Sequence, residues 1–407
     1  MNKKVSKKYL NRDTCIYTIA TFLFYWLINI VFVNLNFLDH DYQSKEDSDI
    51  NDLVYSKFKR VASANKKNTE ILLVNVGNAN REEIATMIDS IAIKNPKIIA
   101  LDISFSSLKE TLNTHLANSL KKNKDKIVLG GHFEYGNSSQ LETFLTSDAV
   151  YSNQIAIGHT NFVTLYSQGT VRRFSPFVSF KEQLIPSFSA QILKKLDASK
   201  YNHLEKRGNS TELINYKFPI STFQVLEAEE ILKSQSQIKI KDKIVIFGYI
   251  SNAKNGHSIE DYHYTPMNEN VNFPDMPGVA IHANILNMFL NNSYIGKFPT
   301  WITLIFSFII CFSHIWIFMW LSANRPIWVH LQSKIIQFVS VVFIIYACVS
   351  IFYFTNYRVE TTLIVIPIAL SADIRLFGNA IFEWLHIKYK VNSYFFKTES
   401  AHTTLRK

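Results

Sequence analysis

The chain has 407 residues, enough for two or three domain-sized units, and its 47% hydrophobic content is ordinary for a globular protein. The formal net charge is +10, yet residues 39–298 hold 29 Lys+Arg against 28 Asp+Glu, so nearly all of the excess lies beside long apolar runs at 16–38 and 301–385. A nucleic-acid-binding protein carries its basic excess as a patch on the folded domain. That distribution sets nucleic acid aside as a partner and argues against a purely soluble chain.

The first 15 residues form a basic tail with Lys3, Lys4, Lys7, Lys8 and Arg12. The apolar run at 16–38 follows. A basic flank before an apolar run also describes a signal peptide, but this run is long and ends in Val33-Asn34-Leu35-Asn36-Phe37, without a small-x-small cleavage pattern. It reads as an uncleaved transmembrane helix. Residues 39–70 are polar and helix-compatible, a stalk leading into an outer domain over 39–300.

Within that domain short β-branched runs alternate with amphipathic stretches. A strand is expected at 71–76, bounded by Gly77-Asn78. Asn80 then caps a helix with Glu82 and Glu83 in its first turn and Ile84, Ile88 and Ile91 at helical spacing. A buried strand spans 97–103, a helix 111–122, and a third strand 126–129 closed by Gly130-Gly131. Strands are expected at 155–162 and 170–174 around a Gln168-Gly169 turn, a helix at 187–197, strands at 213–216 and 243–247, and a helix at 279–290. Residues 136–154 and 250–276 read as loops. This alternation defines an α/β domain with a mixed, largely parallel sheet and flanking helices.

Three further runs, at 301–321, 335–354 and 361–381, each have about the 20 residues that cross a bilayer. With the first they make a four-helix transmembrane region. Basic flanks set its orientation. The N-terminal lysines, Arg325 and Lys334 between the second and third spans, and the basic tail at 386–407 all fall on one side. Both termini are thus expected in the cytoplasm of a bacterial inner or plasma membrane, with 39–300 outside. Asp373 and Arg375 lie inside the last span; intramembrane charges are functional candidates by default, but here a structural role is expected, with Arg375 snorkelling toward the cytoplasmic headgroups. The three cysteines, Cys15, Cys311 and Cys348, all sit in or beside spans, so no disulfide braces the outer domain.

The outer pieces also carry a family resemblance. ILLVNVG (71–77), PKIIALDISFS (96–106), KIVLGG (126–131), GHTNF (158–162), QGTVRRF (168–174), PSFSAQIL (186–193), LINYKFP (213–219), KDKIVIFG (241–248), DYHYTP (261–266) and MPGVAIHANIL (276–286) occur in the order found in the second type of CHASE domain. These are the cyclase/histidine-kinase-associated sensory extracellular domains of bacteria. One span before the domain and three after it is also that family's plan, so the resemblance covers roughly 40–385. It implies an extracytoplasmic sensor signalling to an output domain, often a cyclase or a kinase. Two departures stand out. Only 22 residues follow Leu385, too few for such an output domain, and Asn75 stands where many relatives carry an acidic residue.

No catalytic residue is assigned, because the chain has no phosphate-binding Gly-rich loop, no HExxH and no G-x-S-x-G elbow. The candidates for ligand contact are Asp102, His159, Asn161, Arg172, Arg173, Asp261, His263, His282 and Asn284. Asp102 ends a buried strand, where open α/β sheets bind ligands, or is held by backbone donors. Asp261-x-His263, with His257 and His282 elsewhere, is too sparse a pattern to name a metal site, and no metal or cofactor is expected. Arg172 and Arg173 offer guanidinium forks suited to an anion, or form a solvated strand end. His159, Asn161, His282 and Asn284 lie in the most family-like pieces, where holding the fold competes with ligand contact. The expected function is a membrane sensor module that detects an unknown signal and relays it to a separately encoded cytoplasmic effector, with the bilayer as a further partner and a second copy, as a homodimer, as a candidate one. The alternative is a structural or assembly subunit of an envelope complex.

Overall fold

The computed structural model of the protein describes residues 3–35, 52, 54–63, 66–106, 112–135, 141–163, 169–233, 239–251, 261–269, 273–324 and 327–396. The chain divides into two compact units, Glu46–Ile295 and Met1–Lys45 together with Gly296–Lys407. Arg325, His257 and Gln168 of the expectations above, with most of the stalk and the last residues of the C-terminal tail, lie outside the described residues.

The chain opens with helix α1 (Lys3–Leu35), whose apolar stretch is Tyr9–Ile30. The sensor-like unit then begins with a π-helical turn, Val54–Lys59, and Arg60–Ser63. This segment is not a solvated stalk. Val54 and Tyr55 are buried, and Lys59 Nζ donates to Asn215 Oδ1 at 2.7 Å, so its apolar residues and even its lysine are drawn into the domain.

The central sheet is built from β1 (Ile71–Asn75), β2 (Ile98–Leu101), β3 (Ile127–Tyr135), β4 (Leu141–Leu145), β5 (Ala156–His159), β6 (Gln224–Glu227) and β7 (Ile244–Gly248). Its order is β6-β1-β7-β2-β3-β4, with β5 also paired to β3; only β4 runs antiparallel. The late strand β7 is thus inserted between the first two. Helices α2 (Arg81–Ala92) and α3 (Thr114–Lys122) cover one face, and α4 (Phe188–Leu196), followed by α5 (Ala198–Arg207), packs on the other. Burial on both faces explains why β1, β2 and β7 are apolar throughout rather than alternating. Toward α2 and α3 the sheet presents Leu72, Val74, Ile99, Leu101, Val245 and Phe247, which pack on Ile84, Ile88, Ile91, Leu116 and Leu120. The capping box expected at Asn80 is present: Asn80 Oδ1 accepts from Glu83 N at 3.0 Å and Glu83 Oε2 accepts from Asn80 N at 2.8 Å.

Three expectations are corrected here. Gly130-Gly131 does not close the third strand, which runs on to Tyr135. The glycines are there for close approach: a Cβ on Gly130 would lie 2.9 Å from Thr160 Cγ2, and one on Gly131 2.9 Å from the Leu145 carbonyl. The supposed loop at 136–154 contains β4 and a short helix, Ala149–Ser152, because that extension of β3 offers β4 an edge. The strands expected at 170–174 and 213–216 shrink to Arg173–Phe174 and Glu212–Leu213 in a small separate sheet with Phe162–Val163. A two-stranded ribbon, β8 (Tyr262–His263) with β9 (Met276–Pro277), leads into the buried helix α6 (Gly278–Leu290) on the α4 face.

The other unit adds α7 (Thr300–Asn324), α8 (Val329–Thr355) and α9 (Thr362–Tyr389) to α1, giving four helices long and apolar enough to cross a membrane. Pro367 inside α9 removes the donor that the Leu363 carbonyl would use, and Ser307 Oγ of α7 donates to that carbonyl at 2.6 Å instead. Gln337 Nε2 of α8 donates to the Ile368 carbonyl at 2.8 Å. Arg375 does not snorkel outward: it is buried and donates to Ser322 Oγ of α7, while Asp373 pairs with Lys334 at 3.0 Å.

Candidate functional site

The site follows from one step along the strands. In register across the sheet, Leu226, Val74, Phe247, Leu101, Leu129 and Ile157 form a wholly apolar row. One residue further toward the carboxyl ends, the row reads Glu227, Asn75, Gly248, then Asp102 by continuation of the same register, then Gly130 and Gly158. Its backbone confirms the continuation, because Asp102 N donates to the Phe247 carbonyl at 2.9 Å. Asp102 is therefore flanked on both neighbouring strands by glycine, which leaves its side chain room rather than company.

Asp102 borders a cavity of about 630 Å³ that lies beyond the carboxyl end of β2, beside His132 of β3 and the residues that follow β5. The β8–β9 ribbon closes over it. Thr265 N and Oγ1 donate to the two Asp275 carboxyl oxygens at 2.8 and 2.7 Å, and Gly278 N donates to the Asp261 carbonyl at 3.1 Å, which fixes Asp261 and His263 above the sheet. Asp261 holds a left-handed backbone, φ +67°. Helix α6 contributes His282 from below. The walls are completed by His132, Thr160, Asn161, Phe162, Tyr262 and Tyr264.

Among the described residues the Asp102 carboxyl makes no hydrogen bond; His282 Nε2 lies 4.0 Å from its Oδ2. Burial, reinforced by the charge of Asp261, pushes the Asp102 carboxyl up to about 7. Burial raises Asp261 to about 6. It also pushes His282 down to about 3, and lowers His263. His282 is 2% exposed and its Nε2 has no hydrogen-bond partner. Ser189 Oγ donates to the His282 carbonyl at 3.1 Å and faces the ring Nδ1 at 3.4 Å. These contacts hold the ring in place, with Nε2 facing Asp102 Oδ2 at 4.0 Å.

Five of the nine sequence candidates thus meet in one place: Asp102, Asn161, Asp261, His263 and His282 line the cavity. Asn161 also braces it, its Oδ1 accepting from Phe133 N at 2.7 Å and its Nδ2 donating to the Phe133 carbonyl at 3.0 Å. The other four lie elsewhere. His159 is buried behind the wall against Phe133, neither ring nitrogen has a hydrogen-bond partner, and burial holds it down near 4. Arg172 commits its fork to Asp52, at 3.1 and 2.5 Å to one carboxyl oxygen. Arg173 is exposed and donates to Thr211 Oγ1 at 3.2 Å. Asn284 is saturated: its Oδ1 accepts from Lys217 N and Phe218 N at 3.0 Å each, and its Nδ2 donates to the Phe218 and Ala280 carbonyls. It ties a loop to α6 and reaches no ligand.

Sequence reasoning missed His132, Thr160, Phe162, Tyr262 and Tyr264. They left no periodic signal in the sequence, because they come from β3, from the segment after β5 and from the ribbon, which meet only in the fold. Asn75, the other polar residue of the row, is closed off: its Nδ2 donates to Glu227 Oε2 at 2.8 Å and its Oδ1 accepts from Gly77 N and Ile250 N. An acidic residue there has no donor to offer Glu227.

A three-layer α/β domain with a polar cavity at the carboxyl end of its sheet, in a chain with four membrane-length helices, is the plan of a membrane-bound sensor. The chain matches the family model of the CHASE2 domain over residues 33–323 and belongs to that family of sensory extracellular domains. No curated protein and no solved structure matches it.

Proposed function

We propose that the chain is a multi-pass membrane sensor whose extracytoplasmic unit takes up a small ligand in the cavity at Asp102, Asp261 and His282. The observation that supports it best is that two carboxyls without a hydrogen bond among the described residues, Asp102 and Asp261, meet a buried and unpartnered His282 Nε2 at one cavity of a sensory domain, and a buried polar atom costs free energy unless something satisfies it. The basic residues Lys3, Lys4, Lys7, Lys8 and Arg12 at the start of α1, and Lys388 and Lys390 around the end of α9, favour both termini in the cytoplasm. In this reading ligand binding shifts a population of helix arrangements, and a separately encoded cytoplasmic effector reads that shift, with the basic tail contacting the effector or anionic lipid. Among the described residues no nucleophile–base pair lines the cavity, and membership of a sensory domain family favours binding as its role.

The test is a mild-detergent pull-down of the full chain against a version cut after Leu385. A cytoplasmic signalling protein recovered with the full chain and lost with the tail is the expected result. Recovery of envelope proteins alone by both versions overturns the relay and favours an assembly subunit.

A further inference from the structure

We infer that the ligand of this cavity is a protonated amine, held by the carboxyls of Asp102 and Asp261 and the aromatic faces around them, with the unpartnered Nε2 of His282 beside it. This rests on the sensor reading above and deepens it.

The argument is one of charge and acceptor balance. Neither Lys nor Arg lines the cavity among the described residues, while two carboxyls do. The titratable groups that face Asp102 are Asp261 from the ribbon, His282 from α6, and His132 and His263 across the cavity. His263 and His282 are kept neutral by burial, so they add no positive charge at neutral pH. The first turn of α6 brings a partial positive charge of about half a unit, which two carboxyls outweigh. An anionic ligand therefore meets repulsion, and the guanidinium that would suit one, Arg172, is engaged with Asp52.

The unmet hydrogen-bonding capacity is also one-sided. Neither the Asp102 nor the Asp261 carboxyl makes a hydrogen bond among the described residues, and the buried His282 Nε2 has no hydrogen-bond partner there. What is missing is a group with several N–H donors and a positive charge. An ammonium supplies both. A metal ion fits less well, because no group of three or more His, Cys, Asp or Glu side chains is arranged to hold one among the described residues. The walls decide between an inorganic cation and an organic one. Phe162 packs its ring 4.7 Å from that of His282 and 5.3 Å from that of His263, and Tyr262 and Tyr264 stand beside it. Aromatic faces beside carboxylates attract ammonium groups and shelter their alkyl stems.

The test is calorimetric titration of the full chain in nanodiscs with ethanolamine, putrescine, spermidine and choline. Erythritol, succinate and magnesium chloride serve as neutral, anionic and metal-ion comparisons. At least one amine is expected to bind, with affinity rising tenfold or more from pH 5.5 to 7.5 as the carboxyls ionise. Asp102→Asn and Asp261→Asn are each expected to weaken it tenfold or more. Both changes are near-isosteric, and hydrogen exchange of the β1 and β7 amides checks that the sheet is intact. Failure of every amine to bind overturns the amine assignment, as does binding of succinate or magnesium at the same cavity. The sensor reading is scored separately. All six tryptophans, Trp26, Trp301, Trp316, Trp320, Trp328 and Trp384, lie outside residues 46–295. A tryptophan fluorescence change with any cavity-binding probe supports the sensor reading even when the amine assignment falls. Amine binding without that change upholds the amine and counts against relay through the helices.

Discussion

Asn75 and Asp102 stand in the same row of the same sheet, yet they have opposite fates. Asn75 is bracketed by Glu227 and the turns after β1 and β7, and every polar atom of its amide has a partner within 3.1 Å. Asp102 has glycine on either side, no hydrogen bond, and a carboxyl pushed up to about 7. A buried polar group that is satisfied specifies a fold, whereas one left unsatisfied at a cavity is a standing cost that only function accounts for. The row is thus half structure and half site, divided at Gly248.

The largest expected effect breaks the row on its open side. A Cβ on Gly158 would lie 2.7 Å from both the Phe188 Cα and the Ser187 carbonyl, and backbone atoms at the start of α4 cannot move aside. Gly158→Val should cost about 3 kcal/mol or more, seen as loss of hydrogen-exchange protection in β3 and β5. Gly130→Ala meets a side-chain methyl first, Thr160 Cγ2, and should cost less while narrowing the cavity beside Asp102.

Asp102→Asn should do the reverse and stabilise the domain at neutral pH. The folded state holds the Asp102 proton up to about 7, against an ordinary value of 3.8. Its favourable contribution is complete below pH 3.8 and is lost as pH rises through 7. Variant and wild type should therefore match near pH 4 and diverge up to about pH 7. Above that the variant should lead by roughly 2–4 kcal/mol. Urea unfolding across that range measures it, and a constant gap at all pH values would remove ionisation as the cause. The buried histidines run the other way: His159 and His282, held near 4 and 3, contribute above pH 6.5 and lose that contribution as pH falls. They cancel in the difference between the two proteins.

On the closed side, Asn75→Asp replaces the donor to Glu227 by a second carboxylate. A loss of about 2 kcal/mol is expected at pH 7, largely recovered near pH 4 where one of the pair takes up a proton. The opposite signs of Asn75→Asp and Asp102→Asn, one row and two strands apart, test the division directly.

Much of this was legible in the sequence because it depends on local pattern. The apolar runs, the Asn80 capping box and the strand–helix alternation are short-range signals, and they located β1, β2, β7, α2 and α3. What was not legible depends on pairing between distant segments. Nothing local says that β7 inserts between β1 and β2, that Gly130 and Gly131 sit within a strand rather than ending it, or that 141–145 finds an edge to pair with. The site shows the same split. Asp102 was found as the polar end of a buried strand, and Asp261, His263 and His282 as polar residues in distinctive pieces. Their meeting required the sheet order, and the aromatic wall at Phe162 and Tyr264 left no pattern of its own.

The smallest effect tests the adjacent arginines, which chemistry alone cannot rank. Only Arg173 belongs to the short strand there, and the two side chains meet different surroundings. Arg172 lies 17% exposed with its guanidinium on Asp52, and Arg172→Ala leaves that carboxylate without its fork; about 1–2 kcal/mol should be lost. Arg173 is solvent-exposed and meets only the Thr211 hydroxyl, so Arg173→Ala should change stability by less than about 0.5 kcal/mol. Neither change should alter amine binding, because neither side chain lines the cavity. An effect of Arg173→Ala on binding, with stability unchanged, would place a ligand contact on the small sheet and move the boundary between site and scaffold.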